Sequence, residues 1–349
     1  MTRKKLKNSA SNILESEDDP SSHKASAESP EFMKKVLITG ISGFAGSFLA
    51  EELLKKNFEI YGTYLFDKSL ANVVHIKDKL NLIKLDLLSY ENVLEEIKKI
   101  KPEIVFHLAA IAATSQSFKN PSEIFTNNVA SQLNLLEAIR LSEINPRILI
   151  VSSAEVYGAV SKENLPIDEE TPLRPLNTYA VSKLSQDFLG LQYFLTYKMD
   201  ITRVRPSNHI GPRQSPNFVV SDFAKKIAEV ESGGADGIKV GNLETKRDFT
   251  DVRDMVKAYA LFIDLKTSGE VYNLGSGKSY SISEILDKLI KLSKVSIKVE
   301  VDKSLFRPSD NPELICDSSK FRQLSGWKPE IDIDKTLKNT LEYWRRQKV

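Results

Sequence analysis

Tyr179 and Lys183 stand four residues apart in TYAVSK, a spacing that puts both side chains on one face of a helix. A phenol that exchanges a proton with a hydroxyl or carbonyl works best when its pKa is drawn down toward neutrality. A lysine ammonium one helical turn away supplies that electrostatic pull. Ser152 and Ser153 close the apolar run RILIVSS, where a hydroxyl at a strand end can hydrogen-bond a reacting oxygen or simply terminate the strand. Far upstream, Gly40, Gly43 and Gly46 make a G-x-x-G-x-x-G loop. Glycines so spaced allow a tight turn, close approach of the backbone to a pyrophosphate and tight packing of the helix that follows.

These groups need a frame, and the pattern of elements supplies one. The apolar β-branched run KKVLIT precedes the glycine loop, and the helical GSFLAEELLKKN follows it. FEIYGTYL, LNLIKLD, IVFHLAA and RILIVSS read as further strands. YENVLEEIKKIK and NVASQLNLLEAIRLSE between them read as helices. Strands alternating with helices predict an α/β fold: a Rossmann-type, doubly wound parallel sheet with ligands at the carboxyl ends of its strands. NTYAVSKLSQDFLGLQYF continues as a helix and ITRVRPSN as another strand. Beyond them the rhythm loosens into short strands, helices and loops. We therefore expect a cofactor-binding domain over residues 33–205, with strands returning to it later in the chain. A smaller α/β substrate-binding lobe is expected over 206–349, with the site in the cleft between them.

Within that frame Phe44 and Ala45, at the mouth of the first helix, join the three glycines as cofactor-binding candidates. Ala109 and Ala110 end IVFHLAA with side chains small enough to lie beside a flat cofactor, and Leu108 before them is a further cofactor-binding candidate. Asp86, followed by Leu87, ends the third strand and either binds an adenine amino group or caps the strand. The second strand ends in Tyr64, Leu65 and Phe66, with Asp67 and Lys68 just after it, so NAD(H) and NADP(H) both stay open. His107 reads as a core histidine.

Bulk properties narrow the field further. Across 349 residues the chain is 41% hydrophobic and 28% charged, with a net charge of +2 and both signs interspersed, which gives no electrostatic case for nucleic acid. One cysteine, Cys316, leaves no internal disulfide and fits a reducing cytoplasm. The four histidines show no metal-ligand spacing, so no metal is expected. No apolar run reaches the roughly 20 residues of a membrane span. Residues 1–32, rich in Ser, Lys, Asp and Glu, read as a disordered leader or expression tag ahead of Met33, without the apolar core of a signal peptide.

Taken in order, TGISGFAGSFLAEELL, HLAA, SSAEVYG, YAVSK, RPSNHIGP, RDFTDVRD and VYNLGSG resemble the signatures of the extended short-chain dehydrogenases/reductases. The resemblance runs from Met33 to the C-terminus. It implies a nicotinamide cofactor, with Tyr179 as acid/base, Lys183 as its partner and nicotinamide-ribose ligand, and Ser153 as the hydroxyl partner. Asn128 resembles the family's structural asparagine, and dimerisation through the Tyr/Lys helix and the long helix before it is implied as well.

Within the family, NHIGP, NFVVSDFAKKI, VGNLETKRDFTDVRD and FRPSDNPEL look most like the GDP-mannose branch, which holds GDP-4-keto-6-deoxy-D-mannose reductases and GDP-mannose 4,6-dehydratases. The implied substrate is a GDP-linked sugar. Arg247 and Arg307, both expected in loops of the covering lobe, suit bidentate bonds to its diphosphate. Asn208 is placed to donate to the same group, and Phe218, Val219 and the Gly241–Asn242 turn to surround the base. Glu155 occupies the position of the dehydratases' general base, yet reductases keep an acid there too. Ser153 in place of threonine favours the reductase. Ser207 and Arg213 depart from the pattern, standing where many relatives have an aromatic residue and a glycine.

Overall fold

The computed structural model describes residues 33–306 and 311–347. The leader expected over residues 1–32 and the candidate Arg307 lie outside them. Five strands and three helices alternate through the first half of the described chain. They are β1 (Lys35–Thr39), α1 (Phe44–Leu54), β2 (Glu59–Tyr64), β3 (Asn81–Lys84), α2 (Tyr90–Ile100), β4 (Ile104–His107), α3 (Pro121–Leu141) and β5 (Arg147–Val151). After them come α4 (Thr178–Tyr197), β6 (Ile201–Pro206), β7 (Asn208–Ile210), α5 (Val219–Glu231), β8 (Gly237–Val240) and β9 (Lys246–Asp251). The chain finishes with α6 (Val252–Leu261), β10 (Val271–Leu274), β11 (Ser279–Ser281), α7 (Ile282–Lys291), β12 (Lys298–Val301), β13 (Glu313–Leu314), α8 (Ser319–Ser325) and α9 (Ile333–Arg346).

Seven strands form one parallel sheet in the order β10-β6-β5-β4-β1-β2-β3. This is the Rossmann-type arrangement, reversing direction of growth at β1 and β4, the switch point at whose carboxyl ends open sheets of this kind take their ligands. Both faces are covered, which is why the strands read as continuous apolar runs. The period of two is still visible in the packing. Val36 and Ile38 of β1 face Leu49 and Leu53 of α1 and Met255 and Tyr259 of α6. Leu37, between them, faces the cluster built on Val93 and Ile97 of α2, Leu135 and Ile139 of α3, and Tyr193 of α4.

The later elements build smaller sheets. β9 pairs with β7, β11 and β13, while β8 pairs with β12. Their core packs Val220, Phe223 and Ile227 of α5 against Ile285 and Leu289 of α7 and Leu337 and Leu341 of α9. β10 leaves this region to become an edge strand of the large sheet beside β6. Among the described residues no helix is long and apolar enough to cross a membrane.

Candidate functional site

The glycine loop leaves β1 and enters α1 almost without side chains. Gly40 has φ of 70°, a left-handed conformation that favours glycine, and a Cβ on it would lie 3.0 Å from the Cα of Ala109. At Gly46 a Cβ would come within 2.3 Å of the Gly40 carbonyl oxygen, so any side chain there forces the loop off the helix. Gly43 donates its N–H to the same carbonyl at 3.0 Å and stands at the N-cap of α1 with no side-chain cap. No acidic residue occupies the first turn of α1. The helix dipole therefore favours an anion at the N–H groups of Phe44 and Ala45. These residues fit a dinucleotide pyrophosphate.

Thr39 joins this loop to the neighbouring strand end. Its Oγ1 accepts from the N–H groups of Leu108 and Ala109, each at 3.2 Å, and lies 2.9 Å from His107 Nδ1. Leu108, Ala109 and Ala110 are thus carried against the glycine loop at the sheet's crevice. His107 sits in the core, and burial, helped by the charge of Lys183, pushes its pKa down to about 3. Asp86 lies two residues past the end of β3, where its Oδ1 accepts from the N–H of Leu88 at 2.9 Å and so closes the turn into α2. Leu87 beside it is buried.

The second group of candidates converges from β5 and α4. Asn177 caps α4, accepting from the N–H of Ala180 at 2.8 Å, and this sets Tyr179 and Lys183 on the face turned to the sheet. Tyr179 is 7% exposed and Lys183 4%. Lys183 Nζ donates to the carbonyl of Val151, the last residue of β5, at 2.8 Å, while Ser152 Oγ donates to the carbonyl of Lys183 at 3.1 Å. Ser153 follows immediately, and its Oγ accepts from the N–H of Glu155 at 3.2 Å, opening a single 3-10 turn over Ala154–Tyr157.

The electrostatics reverse one expectation from sequence. Burial pushes the Tyr179 phenol up to about 12; the Ser153 hydroxyl pulls it back and the Glu155 carboxylate adds to the rise. Burial also lowers Lys183 to about 7. With its own pKa drawn down to about 7, Lys183 is only partly charged at neutral pH, and burial outweighs its pull on the phenol.

Around this pair lies a support that sequence reasoning missed. Tyr157 OH donates to Asn273 Oδ1 at 2.7 Å and accepts from Arg205 Nη1 at 3.1 Å. Arg205 Nε and Arg203 Nη1 both donate to Asp187, at 2.8 and 2.9 Å, with all three side chains buried. Asn273 also donates its N–H to Glu169 at 2.7 Å. The loop carrying Ser153 and Glu155 is therefore bolted to α4, β6 and β10. At its exit Gly158 has φ of 56° and no room for a Cβ against the Arg174 carbonyl. The one available signal was the pair of arginines at alternate positions of ITRVRP, a strand that must lie inside the sheet. Asn128 acts similarly on the other side: its Nδ2 donates to Ser182 Oγ at 2.9 Å, and its Oδ1 accepts from the N–H of Ile111 at 2.8 Å.

On the substrate side, Asn208 in β7 and Arg247 in β9 share the sheet centred on β9, where Asn208 pairs with Phe249. Arg247 was expected in a loop, but it lies in a strand with neighbours on both sides, Tyr280 of β11 and Leu314 of β13. The alternating polar run KRDFTD hides that strand. Its Nη1 donates to the carbonyls of Lys246 and Asn311, each at 2.8 Å. Val219 opens α5, and Asn242 Oδ1 holds the turn before β9 by accepting from the N–H of Glu244 at 3.0 Å. The acids of RDFTDVRD are structural ties. Asp248 accepts from the N–H groups of Ser276 and Gly277, each at 2.9 Å. Asp251 caps α6, and Asp254 receives the N–H groups of Glu330 and Ile331 at 2.8 and 2.7 Å.

The family model described as GDP-mannose 4,6 dehydratase matches residues 37–340. A GDP-6-deoxy-D-mannose reductase of Pseudomonas aeruginosa is 32% identical over 89% of this chain and 97% of its own. A GDP-mannose 4,6-dehydratase of Yersinia enterocolitica is 28% identical over 86% of this chain and 91% of its own. Among solved structures, RMD from Pseudomonas aeruginosa complexed with NADPH superposes with a TM-score of 0.77 at 30% identity, covering 90% of this chain and 99% of its own.

Proposed function

The chain belongs to the GDP-mannose 4,6-dehydratase family, among the extended short-chain dehydrogenases/reductases, and on that premise we propose that it reduces GDP-4-dehydro-6-deoxy-D-mannose to GDP-6-deoxy-D-mannose (GDP-D-rhamnose), with NADP(H) or NAD(H) as its cofactor. The observation that carries this reading is the buried Tyr179 beside Ser153 at the end of β5, with Lys183 one turn further along α4.

When bound, the cofactor supplies the hydride that adds to C4 of the sugar. Tyr179 gives the proton that completes the C4 hydroxyl. A phenol pushed up to about 12 holds its proton at neutral pH, which suits a donor in the reductive direction. Ser153 donates a hydrogen bond to the same oxygen and steadies the charge that develops there. Lys183 holds a hydroxyl of the nicotinamide ribose and, when protonated, lowers the cost of leaving a phenolate behind.

The bare N-terminus of α1, with Gly40, Gly43, Phe44, Ala45 and Gly46, takes the pyrophosphate. Asp86 and Leu87 flank the adenine, and Leu108, Ala109 and Ala110 flank the ribose and nicotinamide side. Arg247, Arg307 and Asn208 take the GDP diphosphate. Val219 and Asn242 meet the base.

A second reading, favoured by the Glu155 carboxylate close enough to raise the Tyr179 phenol, is a GDP-mannose 4,6-dehydratase with Glu155 as general base. One assay separates the two. Coenzyme consumption with GDP-4-dehydro-6-deoxymannose, yielding a GDP-deoxyhexose, supports the reductase. Conversion of GDP-mannose to a keto sugar without net coenzyme use replaces it with the dehydratase.

We also propose a homodimer through α3 and α4. Phe125, Leu133 and Leu141 on the first, and Val181, Phe188 and Leu195 on the second, are exposed apolar side chains. A monomer by light scattering at micromolar concentration would refute this.

A further inference from the structure

The side chain of Arg213 joins two parts of the fold. It lies between β7 and α5 with φ of 70°, a conformation uncommon for arginine. Its side chain reaches across to one face of α1. The guanidinium lies 4.3 Å from the centre of the Phe48 ring, Nη1 donates to Ser47 Oγ at 3.3 Å, and Nη2 pairs with Glu51 at 2.7 Å. Gly211, two residues earlier, packs beside Phe44, since a Cβ there would lie 3.8 Å from its Cζ.

The same loop is tied in the opposite direction. Gln214 Nε2 donates to the carbonyl of His209 at 2.8 Å, and the Gln214 carbonyl accepts from Ser221 Oγ of α5 at 2.6 Å. Ser221 in turn accepts from Trp344 Nε1 of α9 at 3.0 Å. One bonded path therefore runs from the helix that faces the pyrophosphate, through Arg213 and Gln214, to the helix that opens at Val219. Asn208 lies five residues before Arg213 on the same segment.

We propose that Arg213 is a positioning residue that couples the two ligands: an anion held at the N-terminus of α1 steadies the first turns of that helix, and the guanidinium fork passes that order to the segment that meets the GDP moiety. The inference rests on the reading above for the identity of the two ligands. The fork makes its three contacts with one rigid helix, and its strained backbone is kept in place by them. Each contact is modest and partly exposed, so the effect is a change in linkage between sites and not loss of either one.

The test is a titration of the full chain with NADPH, or NADH if it binds better, by nicotinamide fluorescence, with and without saturating GDP. The wild-type protein is expected to bind the coenzyme about fivefold more tightly with GDP present, the lower end of typical coupling. Arg213→Ala should bring that ratio close to one, Arg213→Lys should keep part of it, and Glu51→Gln should fall between. Thermal melts identify any variant that fails to fold, in which case the lysine and glutamine variants decide. A purely structural role would weaken coenzyme binding equally with and without GDP, and that result would overturn the proposal. An unchanged ratio, or no GDP effect in the wild type, would overturn it too. Failure of the wild type to bind nicotinamide coenzyme or GDP would instead overturn the functional reading beneath it.

Discussion

The loops at the carboxyl ends of β1 and β5 are built on opposite principles. The glycine loop after β1 is made of backbone, with a capless helix start and no room for a side chain at Gly46. The loop after β5 is made of side chains, held from below by Tyr157, Asn273, Arg205, Arg203 and Asp187. A phosphate needs many weak donors that do not have to move, which consecutive N–H groups provide. A proton donor needs one group held at a fixed distance and depth, and a rigid buried network provides that. The first loop has no room for added volume at Gly46, and the second depends on the buried charge of Asp187 between its two arginines.

Tyr179→Phe is the sharpest probe of that contrast, since it removes the proton and leaves the scaffold. Turnover should fall by about 10²–10⁴-fold, the usual worth of a general acid, with coenzyme Kd within about threefold of wild type. Near-normal turnover would remove Tyr179 from the mechanism. Asp187→Ala strands two buried guanidinium groups and should cost about 3–5 kcal/mol in a denaturant titration. A loss below about 1 kcal/mol would mean that the network relaxes easily and that the second loop is not charge-dependent.

Gly46→Ala tests the first loop. With a Cβ only 2.3 Å from the Gly40 oxygen, the loop must shift, and overpacking of this kind costs about 1–3 kcal/mol. Coenzyme Kd should rise roughly 10- to 100-fold; unaltered affinity would show that the helix start can move without losing its anion.

The last probe concerns pH. Lys183 is lowered to about 7 in the folded, coenzyme-free protein against 10.5 unfolded, so between those values the unfolded chain binds more protons. Stability then rises with pH across that window, at most about 1.4 kcal/mol per pH unit from this group, and the penalty is fully present below 7. Lys183→Met should flatten that rise in melts recorded from pH 7 to 9. An identical slope in both proteins would mean that Lys183 stays charged when buried.

The α/β class, the glycine loop, the Tyr179/Lys183 pair and the strand-end serine were legible in the sequence because each is encoded locally. Hydrophobic period, glycine spacing and an i, i+4 pair all act over a few residues, within one element or across one turn. Other features came only from tertiary structure. Arg203 and Arg205 find Asp187 on a different element, and Tyr157 finds Asn273 across 116 residues of chain. Arg247 turned out to lie in a strand because β7, β11 and β13 converge on it from distant places, not because KRDFTD is locally strand-like. The sign of the Tyr179 shift was also decided in three dimensions. Proximity to a lysine is visible in a sequence, but how much water both groups lose is set by everything packed around them.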